Sequence, residues 1–191
     1  MVVRKRYDKA TLSQYLDDLA ARLPAPGGGS ASALDAALGV ALISMVVNFT
    51  NGKPKYLVFE KELTRILGES EKLRLRFLRL VDEDVQAYLS GNLRRSLAVP
   101  LEIARLSLKG ISLCPRLVKI GNVNLISDVA CAAFFLESAF KAAYFNVLVN
   151  LKLLKDKRLT ERLNRQFKVN FKKIGNLTQK MEDEIGKIIR G

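Results

Sequence analysis

The sequence of 191 residues contains no histidine. That removes the usual imidazole general base and the commonest zinc ligand. Cysteine is nearly absent too: Cys114 and Cys131 are the only two, and they show no clustered spacing. Such a pair builds no disulfide framework and suits a reducing compartment. A zinc site would have to come from carboxylates and two scattered thiols. Any acid–base chemistry must then come from Asp, Glu, Lys, Tyr or Cys. Strand-like alternation is missing as well. Nothing at the start resembles a signal peptide, since the basic opening Met1 to Arg6 leads into an amphipathic segment.

Long hydrophobic runs are few. Residues 36–47 are apolar but too short to cross a bilayer, and residues 129–151 include Glu137, Lys141, Asn146 and Asn150, which would be costly in lipid. Both runs read as buried helices of a soluble, cytoplasmic protein with no membrane partner.

What is present points to a folded chain. Hydrophobic residues make up 49% and charged residues 27%, a globular balance, and the length suits one domain over 1–191. The net charge of +13 leaves several partners open: nucleic acid, an anionic membrane surface or a polyanionic small substrate, beside a plain solubility role. Basic residues are densest in 152–173, nine of them against Asp156 and Glu161. Aromatic side chains are scarce there and no recognition motif is visible, so a solvated helix face is the simpler account and nucleic acid the rival class.

Nearly every segment carries a helical period. Leu12, Tyr15, Leu16, Leu19, Ala20 and Leu23 share one face of a first helix, which Pro24-Ala25-Pro26-Gly27-Gly28-Gly29 stops. A second helix follows from a Ser30 cap to about residue 51, apolar on all sides and so expected to be buried on all sides. Gly52 and Pro54 break the chain before a long helix over 56–89, which Gly91 ends. Short pieces at 100–109 and 115–120 come next, then an apolar helix over 124–154 and an amphipathic one over 159–189. The fold expected is all-α: a helical bundle with two central apolar helices and long amphipathic helices around them. Two such apolar helices are more than one small monomer covers, which predicts a homodimer.

Four features could carry chemistry. The loop Gly27-Gly28-Gly29 before Ser30 lets backbone approach a ligand, and the helix start offers free N–H groups. It lacks the Gly-Lys-Ser/Thr ending of a phosphate loop, and spacing alone does not separate a ligand cradle from a flexible corner. Asp82 and Asp84 lie about 200° apart on the long helix, each among apolar neighbours. A carboxylate there is either paired, for example with Arg79, or raised in pKa and fit for acid–base work. Asn124 and Ser127 look like caps, with Asp128 suited to the positive end of the helix they open. Asn146 and Asn150, one turn apart, either bond across helices or line a pocket.

Taken in order, Pro26-Gly27-Gly28-Gly29-Ser30, Met45-Val46 through Thr50, Gly52-Lys53-Pro54-Lys55-Tyr56, Leu80-Val81-Asp82-Glu83-Asp84, Pro100-Leu101, Gly121-Asn122 with Ser127-Asp128, and Tyr144 through Leu151 with Asp156 resemble one family. It is the cyclodeaminase/cyclohydrolase family, which includes the C-terminal domain of formiminotransferase-cyclodeaminase and stand-alone methenyltetrahydrofolate cyclohydrolases. The match covers nearly the whole chain, with a shorter connection before Pro100 than in the animal enzyme. The resemblance implies an all-helical homodimer that binds a tetrahydrofolate derivative, polyglutamylated or not, and needs no cofactor. It implies cyclodeamination of 5-formiminotetrahydrofolate first, with methenyltetrahydrofolate hydrolysis as the alternative. On the same ground Asp82 is the expected acid–base residue, with Lys55 near the tetrahedral centre or the substrate carboxylates. Gly27, Gly28, Gly29 and Ser30 are expected to bind substrate, with Asp84, Asn124, Asp128 and Asn146 as further site candidates.

Overall fold

Thr11 opens the first helix with a reciprocal cap: its hydroxyl accepts from the Gln14 N–H while the Gln14 side chain accepts from the Thr11 N–H. This helix, α1 (Leu12–Ala20), buries only Tyr15. The computed structural model describes residues 6–191, so the basic opening at 1–5 lies outside the described residues. Seven α-helices follow one another among the described residues: α1, α2 (Gly28–Thr50), α3 (Glu60–Leu89), α4 (Leu93–Ile111), α5 (Cys114–Ile120), α6 (Ile126–Leu154) and α7 (Lys157–Arg190). Three short 3₁₀ turns, Tyr7–Lys9, Pro54–Phe59 and Val123–Leu125, join them, and there is no strand among the described residues.

The all-α expectation holds, and the departures from it are informative. The long helix starts at Glu60, because Pro54 opens a 3₁₀ turn first. The piece expected at 100–109 is the end of a 19-residue helix with Pro100 inside it. Proline has no N–H for the carbonyl four residues back, here Ser96. That carbonyl accepts from Asn150 Nδ2 on α6 at 3.0 Å, so a side chain restores what the proline removed. The expected caps also move. Gly27, not Ser30, occupies the cap position of α2 and offers no side chain. Asn122, not Asn124, accepts the capping bond at the next turn, from the Asn124 N–H.

α2 packs between α3 and α6, with α4 closing part of the remaining circumference. Gly39 permits the tight α2–α6 approach: a Cβ there would lie 2.9 Å from Leu136 Cγ and 3.0 Å from the Ala132 carbonyl. Arg76 on α3 forks between Glu83 on its own helix and Glu102 on α4, fixing the α3–α4 pairing. α7 docks through Phe167 and Phe171, which meet Phe140 and Tyr144 of α6.

α2 and α6 are long and apolar enough to cross a membrane by length and composition. Here their inner sides are packed against other helices, and α6 carries a Glu137–Lys141 ion pair. Neither helix is buried all round, contrary to the expectation. Leu38 and Phe49 on α2 are exposed, as are Phe134, Phe135, Phe145, Val149 and Leu153 on α6.

Candidate active site

The N-terminus of α2, the ends of α3 and α6 and the start of α4 converge on a cleft of about 390 Å³. The loop before α2 contributes Pro24, Ala25 and Gly27–Gly29; α3 contributes Asp84 and Tyr88; Leu93 and Ser96 come from α4; Asn146, Val149, Asn150 and Leu153 come from α6. The Ala25–Pro26 peptide bond in this loop is cis.

The first turn of a helix has four N–H groups without an internal partner. α2 supplies no capping side chain of its own, because Gly27 stands where Ser, Thr, Asp or Asn would. Asp84 of α3 faces that helix start from another helix, where the nearby Ser30 N–H favours its charged form. Asp84 also crowds Gly29: a Cβ added there would fall 2.2 Å from Asp84 Oδ1 and 2.6 Å from its Cγ. Gly29 is therefore glycine so that a carboxylate can lie against the helix start. Gly27 and Gly28 meet no such obstacle. The N–H groups of Gly28 and Gly29 meet no acceptor among the described residues and stand at the positive end of the helix dipole.

Burial raises the Asp84 pKa to about 6, and the Ser30 N–H pulls in the other direction without cancelling it. The carboxyl thus changes charge near neutrality at the wall of a cleft, which is the condition for reversible proton transfer. Asn146 and Asn150 stand opposite, one turn apart on α6. Their amide groups donate to the Ala142 carbonyl and to the Asn146 and Ser96 carbonyls. Both alternatives for this pair are met at once, since Asn150 bonds across helices and both residues line the cleft.

Asp82 does not join this cleft. Its carboxylate turns to the opposite side of α3, where it accepts from the Tyr7 N–H at 2.7 Å and the Asp8 N–H at 3.3 Å. It is buried there without Arg79, and burial raises its pKa against the effect of the two N–H donors. Of the two carboxylates, the periodicity separates the faces and the packing selects which face meets the glycine loop.

Lys55, Asn124 and Asp128 also lie elsewhere. Lys55 follows the C-terminus of α2 and is exposed, its Nζ 5.5 Å from the Tyr56 ring centroid. The turn that carries Asn124 is tied to that same end: the Asn122 N–H donates to Thr50 Oγ1 at 3.0 Å and the Val123 N–H to Tyr56 Oη at 3.4 Å. Asp128 sits in the first turn of α6 just beyond it. The 23 residues of α2 place roughly 33 Å between this end and the glycine loop. Within one chain the sequence candidates other than Asp82 thus form two groups, with Gly27, Gly28, Gly29, Ser30, Asp84 and Asn146 in one. Lys55, Asn124 and Asp128 form the other.

The formiminotransferase-cyclodeaminase family profile matches this chain over residues 11–92 and 86–169. The chain is 30% identical to methenyltetrahydrofolate cyclohydrolase of Methylorubrum extorquens, over 92% of its own length and 95% of that protein. To formimidoyltransferase-cyclodeaminase of Rattus norvegicus it is 32% identical, over 77% of its length but only 31% of the longer protein. In structure it resembles crystalline formiminotetrahydrofolate cyclodeaminase from Thermotoga maritima, with a TM-score of 0.89, 28% identity, and 95% and 98% of the two chains covered.

Proposed function

The chain belongs to the formiminotransferase-cyclodeaminase family, and from that premise we propose that it is a folate one-carbon enzyme whose acid–base residue is Asp84. The observation that carries this reading is a carboxyl with a pKa of about 6 held against a helix N-terminus in the wall of the cleft. Asp82, expected in that role, faces away from it.

Cyclodeamination of 5-formiminotetrahydrofolate is the first reading. With the formimino nitrogen protonated, ionised Asp84 takes the proton from N10 as that nitrogen attacks the formiminium carbon. The tetrahedral adduct then collapses as the same carboxyl returns a proton to the departing amine, giving ammonia and the 5,10-methenyl bridge. One carboxyl that titrates near neutrality serves both steps. The free N–H groups of Gly28 and Gly29 and the amides of Asn146 and Asn150 are placed to orient polar atoms of the ring system. The steps as written need neither metal nor redox cofactor.

Hydrolysis of the methenyl bridge is the second reading, favoured by the near full-length match to the Methylorubrum extorquens cyclohydrolase. It uses the same geometry, with water in place of the amine. Supplying 5-formimino- and 5,10-methenyltetrahydrofolate separately and following the methenyl absorbance distinguishes the two. Turnover of neither substrate would overturn the enzyme reading. Folate-independent, salt-sensitive binding to nucleic acid would support the rival class instead.

The exposed apolar side chains on α2 and α6 support a homodimer through that face, which runs on to the cleft mouth at Val149 and Leu153. A twofold axis across α2 would set the far end of one copy beside the glycine loop of the other. That arrangement returns Lys55, Asn124 and Asp128 to a site with Asp84. Arg94, Arg158 and Arg162, with Asp156 as the one carboxylate among them, line two neighbouring hollows, where three cations against one anion suit the carboxylates of a polyglutamyl tail. A triglutamate that binds no tighter than the monoglutamate at low salt would remove that assignment. We place the protein in the cytoplasm, in keeping with its two unpaired thiols.

A further inference from the structure

The first turn of α2 is held from two sides. Asp84 touches it on the cleft side; on the other, Ser30 Oγ lies 3.1 Å from Tyr15 Oη, with both residues buried. Tyr15 is the one side chain that α1 commits to the interior, and it is delivered to this hydroxyl. Behind it the Tyr7 ring packs edge-on, centroids 5.2 Å apart at 83°. The Tyr7 and Asp8 N–H groups are gripped in turn by Asp82. The two carboxylates of α3 therefore meet the same helix start from opposite directions, one directly and one through Tyr7, Tyr15 and Ser30.

We propose that Tyr15 is a positioning residue of the active site: its hydroxyl, through Ser30, sets where the first turn of α2 stands against Asp84, and Asp82 braces that strut from behind. The proposal rests on the assignment of Asp84 above. A phenylalanine would fill the Tyr15 site equally well if packing were the whole of its role. The hydroxyl is buried where a hydrogen bond must be made, and the partner is the residue whose N–H reaches the reacting carboxyl. Small displacements of such a turn act on rate more than on binding, because proton transfer depends on sub-ångström alignment.

The test is Tyr15→Phe, with Ser30→Ala and the double variant, assayed on whichever tetrahydrofolate substrate the native enzyme turns over. We expect kcat to fall roughly 10- to 100-fold with KM changed less than about twofold. The acidic limb of the pH–rate profile should move upward by about half a unit to one unit, as the Ser30 N–H loses its hold on Asp84. Ser30→Ala should reproduce both effects, and the double variant should add little to either single one. Unchanged kcat and pH limb in the two single variants, or losses that multiply in the double variant, would overturn the strut. Should Tyr15→Phe fail to fold, Ser30→Ala alone decides through its kcat and pH limb. A failure of the parent reading looks different: the native enzyme then turns over no folate, or Asp84→Asn retains full activity.

Discussion

At the scale of single residues, Asp84 joins two demands that conflict. Burial makes its charged form costly, and the proton transfer proposed for it needs that charged form. The carboxyl is most favourable to the fold below its ordinary value of 3.8, and that contribution is lost as pH rises through about 6. Asp84→Asn should therefore raise the melting temperature at pH 8 and leave it nearly unchanged at pH 3.5, while lowering turnover by about 10²- to 10⁴-fold with folate binding retained. Scanning calorimetry at the two pH values, beside kinetics, checks both halves; a lower melting temperature at pH 8 would contradict the burial argument. Asp82→Asn should cost no more than about 10-fold, since it acts through the strut. Gly29→Ala puts a methyl into space the Asp84 carboxylate occupies, so it should lose turnover comparably to Asp84→Asn and destabilise by ~1–3 kcal/mol. Near-native kinetics for Gly29→Ala would mean that the carboxylate can retreat without consequence. The sequence made much of this visible. Asp84 breaks an apolar stripe, and the 200° separation showed that only one of the two aspartates could face a given pocket. Which of them does so depends on where the backbone at 7–8 and the glycine loop settle, and no local pattern encodes that.

At the scale of elements, α4 shows where local reading stops. Pro100 looks like the start of a helix because proline is favoured in first turns. Residues 93–99 continue it backward because Asn92 caps the earlier start, and Asn150, 54 residues beyond Ser96, satisfies the orphaned carbonyl. Asn150→Ala should cost ~1–3 kcal/mol by leaving the Ser96 carbonyl unpaired. Pro100→Ala supplies a backbone N–H to the same carbonyl, so the cost of Asn150→Ala should shrink in that background. A double-mutant cycle in urea measures this, and additive losses would separate the two residues. α2, α6 and α7 were legible from their periods to within two residues at most ends. The cap of α2 was not, since its capping group resides on α3. The sequence signal that could have found it is negative: a helix that begins with three glycines lacks its own acceptor and must borrow one.

At the scale of the whole molecule, hydrophobicity counted along the chain led to the expectation of two helices buried on every side, and the protomer leaves one side of each open. If that side is the dimer face, the melting temperature should rise with protein concentration, and Phe145→Asp should abolish that dependence and yield a monomer by sedimentation. A native protein that remains monomeric at high concentration would overturn the dimer. A dimer closed on that side would also impose an order in time. Phe134, Phe135 and Phe145 come from α6 and Leu38 and Phe49 from α2, so the face exists only after those two helices have docked through Gly39 within each protomer. Refolding should then show a first phase independent of concentration, followed by a second-order phase whose rate scales with the amount of chain present. Between the two phases of such an assembly, each protomer would be folded but adhesive, and crowding at that moment would decide between pairing and precipitation.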